Sequence, residues 1–369
     1  CPGRRHTVTA GQFRWNVDGD PDGRIRYSHV DSPPPEIVVT LMNIRTLTAI
    51  ILLLGALPAF AFDTDRADVK SFIDRMVEEH AYDRDKLTEV IGAAESKESI
   101  LEAISRPAER TLNWGEYRDI FLTDERVQAG AGFWKEHEAD LTRISKETGV
   151  SIEILVGIIG VETYYGRITG NYRVLDALAT LAFDYPPRSK FFTGELEQFL
   201  LLVREEGMDA TDATGSYAGA MGRPQFMPSS YRAYAVDSTD DGKRDIWTNW
   251  ADVIGSVANY FVRHGWAKDK EVVAPASLGA QWQGDTPENT LTPQETVTSL
   301  SHQGVMFSTA LDGDEKSQLI TLEGEDGEEH WVGFPNFFVI TRYNRSVMYA
   351  LAVHQLGQEI ALEVKRGES

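Results

Sequence analysis

The chain has 369 residues, ample for one large or two ordinary domains, and its 42% hydrophobic and 25% charged content is that of a globular protein. A formal net charge of −21 excludes the basic face that nucleic acid requires and argues against adhesion to anionic membranes. The single cysteine is Cys1, ahead of any plausible mature start, which excludes disulfides and thiol chemistry in the mature part.

Residues 1–41 are rich in Pro, Gly and Arg and begin without Met, and they read as a non-native upstream extension with Met42 as the true start. Residues 42–61 read as a signal peptide: Arg45 supplies the charge, 47–57 the apolar run, and Ala59-Phe60-Ala61 the cleavage site. The run falls short of the ~18 residues of a membrane span, and no cysteine follows it to take a lipid. The mature chain is therefore expected to be periplasmic and soluble, without stable membrane insertion; an uncleaved anchor is the alternative.

From 68 to 101 the pattern is helical, with one stripe of Val69, Phe72, Ile73, Met76 and Val77 and another of Leu87, Val90, Ile91 and Ala94. Residues 106–117 contain Pro107 and Trp114-Gly115 and read as an extended connector. Thr123 can cap a helix running through Phe133, His137 and Ile144 to a stop at Gly149, with His137 as packing rather than ligand. Ser151 can cap the next helix, in which Leu155, Ile158, Ile159 and Glu162 share one face at i, i+3, i+4 and i+7, before Gly166 and Gly170 signal its end. A carboxyl among aliphatic side chains at the negative end of a helix dipole should have a raised pKa, which suits a general acid. An ordinary carboxylate in water at a helix end is the alternative.

Residues 171–192 combine an apolar helix with a Pro186-Pro187 break, and 193–205 read as a further helix. The stretch 215–231, GSYAGAMGRPQFMPSSY, is too rich in Gly and Pro for regular structure and reads as a binding wall or a core turn. An acidic turn covers 237–245, and a helix 252–264. Segments 318–323, 330–334 and 337–341 read as short strands, and 346–360 as the last helix.

Five segments, GIIGVETYYG, LDALATLAFDYPPR, SYAGAMGRPQFMPSSY, IGSVANYFVRHGW and VITRYNRSVMYALAV, stand in the order found in the lytic murein transglycosylase B family, which the chain resembles over most of 65–360. The resemblance implies an α+β, mostly α fold. It would comprise an N-terminal helical domain over 62–150, a lysozyme-like catalytic core over 151–268, a small β-containing region over 269–335, and a C-terminal helix over 336–369 returning to the core. It implies cleavage of the β-1,4 bond between N-acetylmuramic acid and N-acetylglucosamine in peptidoglycan glycan strands, with a 1,6-anhydro product and Glu162 as sole acid and base. No catalytic cofactor is implied, and cell-wall synthesis or division proteins are the partners such an enzyme would meet.

The resemblance also assigns Ser216 and Gln225 to orienting the acid or an acetamido group. It assigns Tyr117, Phe226, Tyr260, Tyr343 and Tyr349 to stacking on sugars, and Asn344 and Arg188 to polar groups of the substrate. Asp237, Thr239, Asp241, Gly242 and the Lys243 carbonyl match the first positions of an EF-hand calcium loop. Thr248 stands where the twelfth-position Glu belongs, so Asp252 is the candidate last ligand of a structural calcium ion, with a solvated acidic turn as the alternative. Two further functions compete: a muramidase-type hydrolase, needing a second positioned carboxylate, for which Asp176 and Asp184 are the candidates nearby in sequence, or a water site, and a non-catalytic peptidoglycan-binding protein.

Overall fold

A computed structural model describes residues 62–105, 112–283 and 288–367; the arm over 1–41 and the segment over 42–61 lie outside the described residues. The helical stretch expected first is three helices, Ala67–His80 (α1), Arg84–Gly92 (α2) and Glu98–Ser105 (α3), with Val69, Phe72, Ile73, Met76, Leu87 and Ile91 turned inward. Their apolar stripes are what the chain hides against two later helices, Val174–Phe183 (α8) and Ser189–Glu206 (α9). Polar ties fix the docking: Tyr82 donates to the Leu200 carbonyl at 2.6 Å and Arg75 pairs with Glu197 at 3.1 Å. Phe62, the first described residue, is buried with its ring edge-on to Phe183 at 5.7 Å.

The connector expected over 106–117 is helical at its end. Trp114–Phe121 (α4) begins there because Asn113 accepts from the Glu116 N–H at 2.9 Å while the Glu116 carboxylate accepts from the Asn113 N–H. That reciprocal cap satisfies the end donors and outweighs the helix-breaking look of Gly115. The single helix expected from Thr123 to Gly149 is two, Asp124–Glu136 (α5) and Glu138–Thr148 (α6). The break is at His137, whose ring is wedged 4.6 Å from that of Phe133 and 5.4 Å from Trp250.

Ile152–Thr163 (α7) starts where expected, although the Ser151 hydroxyl makes no capping bond. Every residue from Ile154 to Thr163 is buried, so this helix is apolar all round and runs through the centre of the core. Its main neighbour is the last helix, Val347–Arg366 (α14), which is longer at its far end than expected. Glycines let the two backbones touch. A Cβ at Gly157 would lie 2.4 Å from the Val353 carbonyl oxygen, and one at Gly357 2.2 Å from that of Glu153.

Beyond α7 the chain forms a two-residue antiparallel pair, Tyr172–Arg173 (β1) with Thr214–Gly215 (β2), and a short helix, Pro228–Tyr234 (α10). Trp250–Arg263 (α11) is capped by Asn249. A five-stranded antiparallel sheet follows, built from Val273–Leu278 (β3), Glu295–Thr296 (β4), Val305–Phe307 (β5), Lys316–Gly324 (β6) and Gly327–Gly333 (β7) in the order β4-β6-β7-β3-β5. With Val297–His302 (α12) the sheet encloses a second, smaller apolar cluster around Leu300, Leu319, Val332 and Phe334.

The strands expected over 318–323 and 330–334 fall on β6 and β7. The third, over 337–341, is instead inside a helix, Pro335–Tyr343 (α13). Pro335 at its first position pre-sets the helical φ, and Phe337 to Thr341 are all buried, so no amphipathic period betrays the helix. The β6–β7 hairpin also reaches α4, where Glu329 accepts from the Trp114 indole at 3.1 Å and from Arg118 at 3.2 Å.

Candidate active site

Glu162 stands in the last turn of α7 and is 2% exposed. Its Oε1 accepts from the Tyr349 hydroxyl of α14 at 2.5 Å, while Oε2 is buried with no hydrogen-bond partner among the described residues. Burial pushes its pKa up to about 8, against the downward pull of the Tyr349 bond. Tyr117 of α4 is buried as well, and burial together with the Glu162 charge holds its hydroxyl above the ordinary range. The same two causes act on Tyr349, with Tyr343 adding to them. Helices α4, α7, α13 and α14 thus converge one carboxyl and three phenols.

The helix ends differently from the sequence signal. It stops at Thr163, before Gly166, in two successive left-handed residues that are not glycine, Tyr164 (φ 50) and Tyr165 (φ 57). Their N–H groups return to the carbonyls of Gly160 and Ile159, closing the helix end. Thr163 latches this end to the 215–231 loop, donating to the Arg223 carbonyl at 3.1 Å. Arg126 of α5, buried, donates to the Gly160 carbonyl at 2.6 Å and lies 4.4 Å over the Tyr164 ring. Sequence reading missed Thr163 and Arg126; the one signal was a cation in the first turn of α5, where an acid is the favoured residue.

In the loop, Ser216 and Gln225 are both buried and serve the backbone. The Ser216 hydroxyl accepts from the N–H groups of Ala218 and Ala220, and the Gln225 amide donates to the carbonyls of Thr169 and Gly222. Gln225 also takes a left-handed φ of 52. Phe226, Tyr260 and Tyr343 form an aromatic group with ring centroids 4.8 to 5.9 Å apart. It is tied down where Tyr260 donates to the Arg342 carbonyl and Tyr343 to that of Pro224. Asn344 follows, 1% exposed, with both amide atoms lacking a partner among the described residues. Arg188, on the turn between α8 and α9, lies 4.5 and 5.1 Å over the rings of Phe191 and Phe192.

The two carboxylates considered for a hydrolase are engaged with the N-terminal helices. Asp176 pairs with Arg173 and accepts from the Glu95 N–H; Asp184 takes Arg66 and the Ser96 hydroxyl.

The acidic turn is wound around Asp237, whose carboxylate accepts from the N–H groups of Thr239, Asp241 and Gly242. Asp252, buried beneath it on α11, accepts from Ser238 and Asp245. Burial raises the Asp252 pKa, those two N–H groups lower it, and the charges of Asp237 and Asp241 raise it again, for a net upward shift. The charges of Asp237 and Asp241 thus act on the buried Asp252. Among the described residues no three or more His, Cys, Asp or Glu side chains are drawn into a closed metal cluster, because Asp237 and Asp252 spend oxygens on backbone N–H groups. The oxygens of the turn are nonetheless of the kind a hard cation takes.

The family model described as a transglycosylase SLT domain matches residues 64–358. Membrane-bound lytic murein transglycosylase B of Escherichia coli (strain K12) is 43% identical over 306 residues, covering 80% of this chain and 83% of that protein. The catenated lytic transglycosylase SltB1 from Pseudomonas aeruginosa superimposes with a TM-score of 0.78 at 49% identity, over 81% of this chain and 98% of that one. Escherichia coli lytic transglycosylase Slt35 in complex with calcium gives a TM-score of 0.74 at 42% identity, over 83% and 96%.

Proposed function

The chain belongs to the transglycosylase SLT domain family and is a peptidoglycan lytic transglycosylase of lysozyme-like, mostly helical α+β fold, and from that premise we propose that Glu162 alone performs both proton transfers. The observation that carries this is a buried carboxyl with a pKa of about 8, one oxygen held by Tyr349 and the other without a partner among the described residues. Near neutral pH it holds a proton, which passes to the glycosidic oxygen as the bond from muramic acid C1 breaks. The resulting carboxylate keeps the Tyr349 hydrogen bond, which stabilises the anion. It then takes the proton of the muramic acid 6-hydroxyl, whose oxygen closes on C1. The product carries a 1,6-anhydro end, no water is consumed, and Glu162 is protonated again.

Most glycosidases need two carboxylates. With Asp176 and Asp184 engaged elsewhere, the substrate's own N-acetyl group supports the cation-like C1. Tyr117, Phe226, Tyr260 and Tyr343 offer faces for the sugars, Asn344 an unsatisfied amide, and Arg188 a cation for the lactyl or peptide carboxylate. Ser216 and Gln225 hold the shape of the wall. Mass spectrometry of products from purified sacculi tests the mechanism: 1,6-anhydromuropeptides are expected, and reducing muramic acid ends would return the hydrolase reading.

Asp237, Thr239, Asp241, the Lys243 carbonyl and Asp252 would hold calcium, which supplies charge neutralisation in the loop and takes no part in bond cleavage. As for location, no helix among the described residues is long and apolar enough to cross a membrane. The signal-like segment over 42–61 supports a soluble periplasmic protein whose mature chain begins at Phe62; N-terminal sequencing and fractionation check this, and retention with the membrane overturns it.

A further inference from the structure

Arg126 sits where its own helix does not want it. It is the third residue of α5, its N–H held by the Thr123 cap, at a helix end whose dipole disfavours a cation. It is also 3% exposed, a costly place for a guanidinium. What it serves is the opposite end of another helix. Its Nη1 donates to the Gly160 carbonyl at the C-terminus of α7, and its plane covers Tyr164 at 4.4 Å and Phe121 at 5.4 Å.

Arg126, Gly130 and Phe133 follow at i, i+4 and i+7, so one face of α5 takes both left-handed tyrosines. Arg126 lies under Tyr164. Gly130 leaves room for the Tyr165 hydroxyl, which a Cβ there would meet at 2.4 Å, and Phe133 stacks on the Tyr165 ring at 5.5 Å. Two consecutive non-glycine residues at φ 50 and 57 persist only where the surroundings over-determine them. Glu162 lies immediately before this end, with Tyr349 alone among the described residues to hold its carboxyl.

We infer that Arg126 is a positioning residue for Glu162, fixing the aim of the unpartnered Oε2 by clamping the left-handed end of α7. The inference rests on Glu162 being the acid. Arg126→Ala, Arg126→Lys and Glu162→Gln are compared with wild type on soluble, uncrosslinked glycan strands, with thermal melts and pH–rate profiles on the same samples. Arg126→Ala should lower kcat by roughly 10–100-fold, the scale of a misplacement near 1 Å. KM should stay within about twofold, and the alkaline limb set by Glu162 should not move. Millimolar guanidinium should restore part of the Arg126→Ala rate, and Arg126→Lys, keeping a donor without the plane, should lie between. If Arg126→Ala keeps more than half of kcat, or loses it only in step with the folded fraction and without guanidinium rescue, the inference is overturned while Glu162→Gln remains inactive. If Glu162→Gln keeps more than a tenth of the activity, the acid assignment falls and takes this inference with it.

Discussion

Glu162 and Asp237 carry the same functional group in opposite surroundings. Glu162 is buried between helices with one phenol on one oxygen and no partner for the other among the described residues, and its pKa rises to about 8. Asp237 lies on an exposed turn where three backbone N–H groups converge on it. The first carboxyl is kept ready to exchange a proton, and the second stays an anion that organises a loop. Residue type does not separate them; the cost of burying charge and the supply of donors do.

The sharpest break is Glu162→Gln, which keeps the shape and removes the proton. Turnover on sacculi should fall by about 10²–10⁴-fold or more, the contribution of a general acid, since one residue serves both steps. The same variant reports on stability. In the folded chain burial holds the Glu162 pKa at about 8, against 4.5 for an ordinary exposed glutamate, so between those values the folded state retains a proton that the unfolded chain has released. Wild type therefore loses stability as pH rises through that window. The stability of Glu162→Gln relative to wild type should grow from pH 5 to pH 8 and then level, by a few kcal/mol at about 1.4 per pH unit; a flat difference would refute the raised pKa.

Next in size is Tyr349→Phe. Losing a hydrogen bond to a charged group costs about 1.5–3 kcal/mol, or roughly 10–100-fold in kcat. The bond lowers the Glu162 pKa, so its removal should shift the alkaline limb of the pH–rate profile upward, and a downward shift would contradict the geometry. Gly157→Val tests the helix contact that brings the two groups together. Its Cβ would lie 2.4 Å from the Val353 carbonyl oxygen, and overpacking of this kind costs about 1–3 kcal/mol in thermal or urea unfolding. The smallest effect belongs to the Asp237 loop. Millimolar calcium at tenfold excess over Kd should add about 1.4 kcal/mol, raising the melting temperature of wild type and leaving Asp237→Ala with Asp241→Ala unshifted. Turnover of that double variant should match wild type; an unmoved wild-type melt would make the loop an ordinary acidic turn.

The two regions were also unequally legible. The burial of Glu162 followed from the i, i+3, i+4, i+7 face of α7, because a helix period and an apolar neighbourhood are local properties. The end of that helix was not legible: Gly166 offered the usual stop, yet tertiary contacts from Arg126 and Thr163 hold Tyr164 and Tyr165 left-handed ahead of it. Resemblance supplied Ser216 and Gln225 as wall residues, but only coordinates show their polar groups bonding backbone. The helix over Pro335–Tyr343 was misread because a fully buried helix and a buried strand present the same apolar run. By contrast the Asn113 and Glu116 spacing was a readable cap that Pro107 and Gly115 obscured.

The close approach of Gly157 to Val353 and of Gly357 to Glu153 bears on when the enzyme becomes active. Tyr349, Val353 and Gly357 all belong to the last helix of the chain, so the chamber around Glu162 closes only when the final segment has been synthesised and folded back across nearly two hundred residues. A chain interrupted before Val347 lacks both the phenol on Oε1 and the wall that excludes water, and its carboxyl is left an ordinary solvated acid. Wall-cutting ability is thereby withheld from any nascent fragment that ends before Val347.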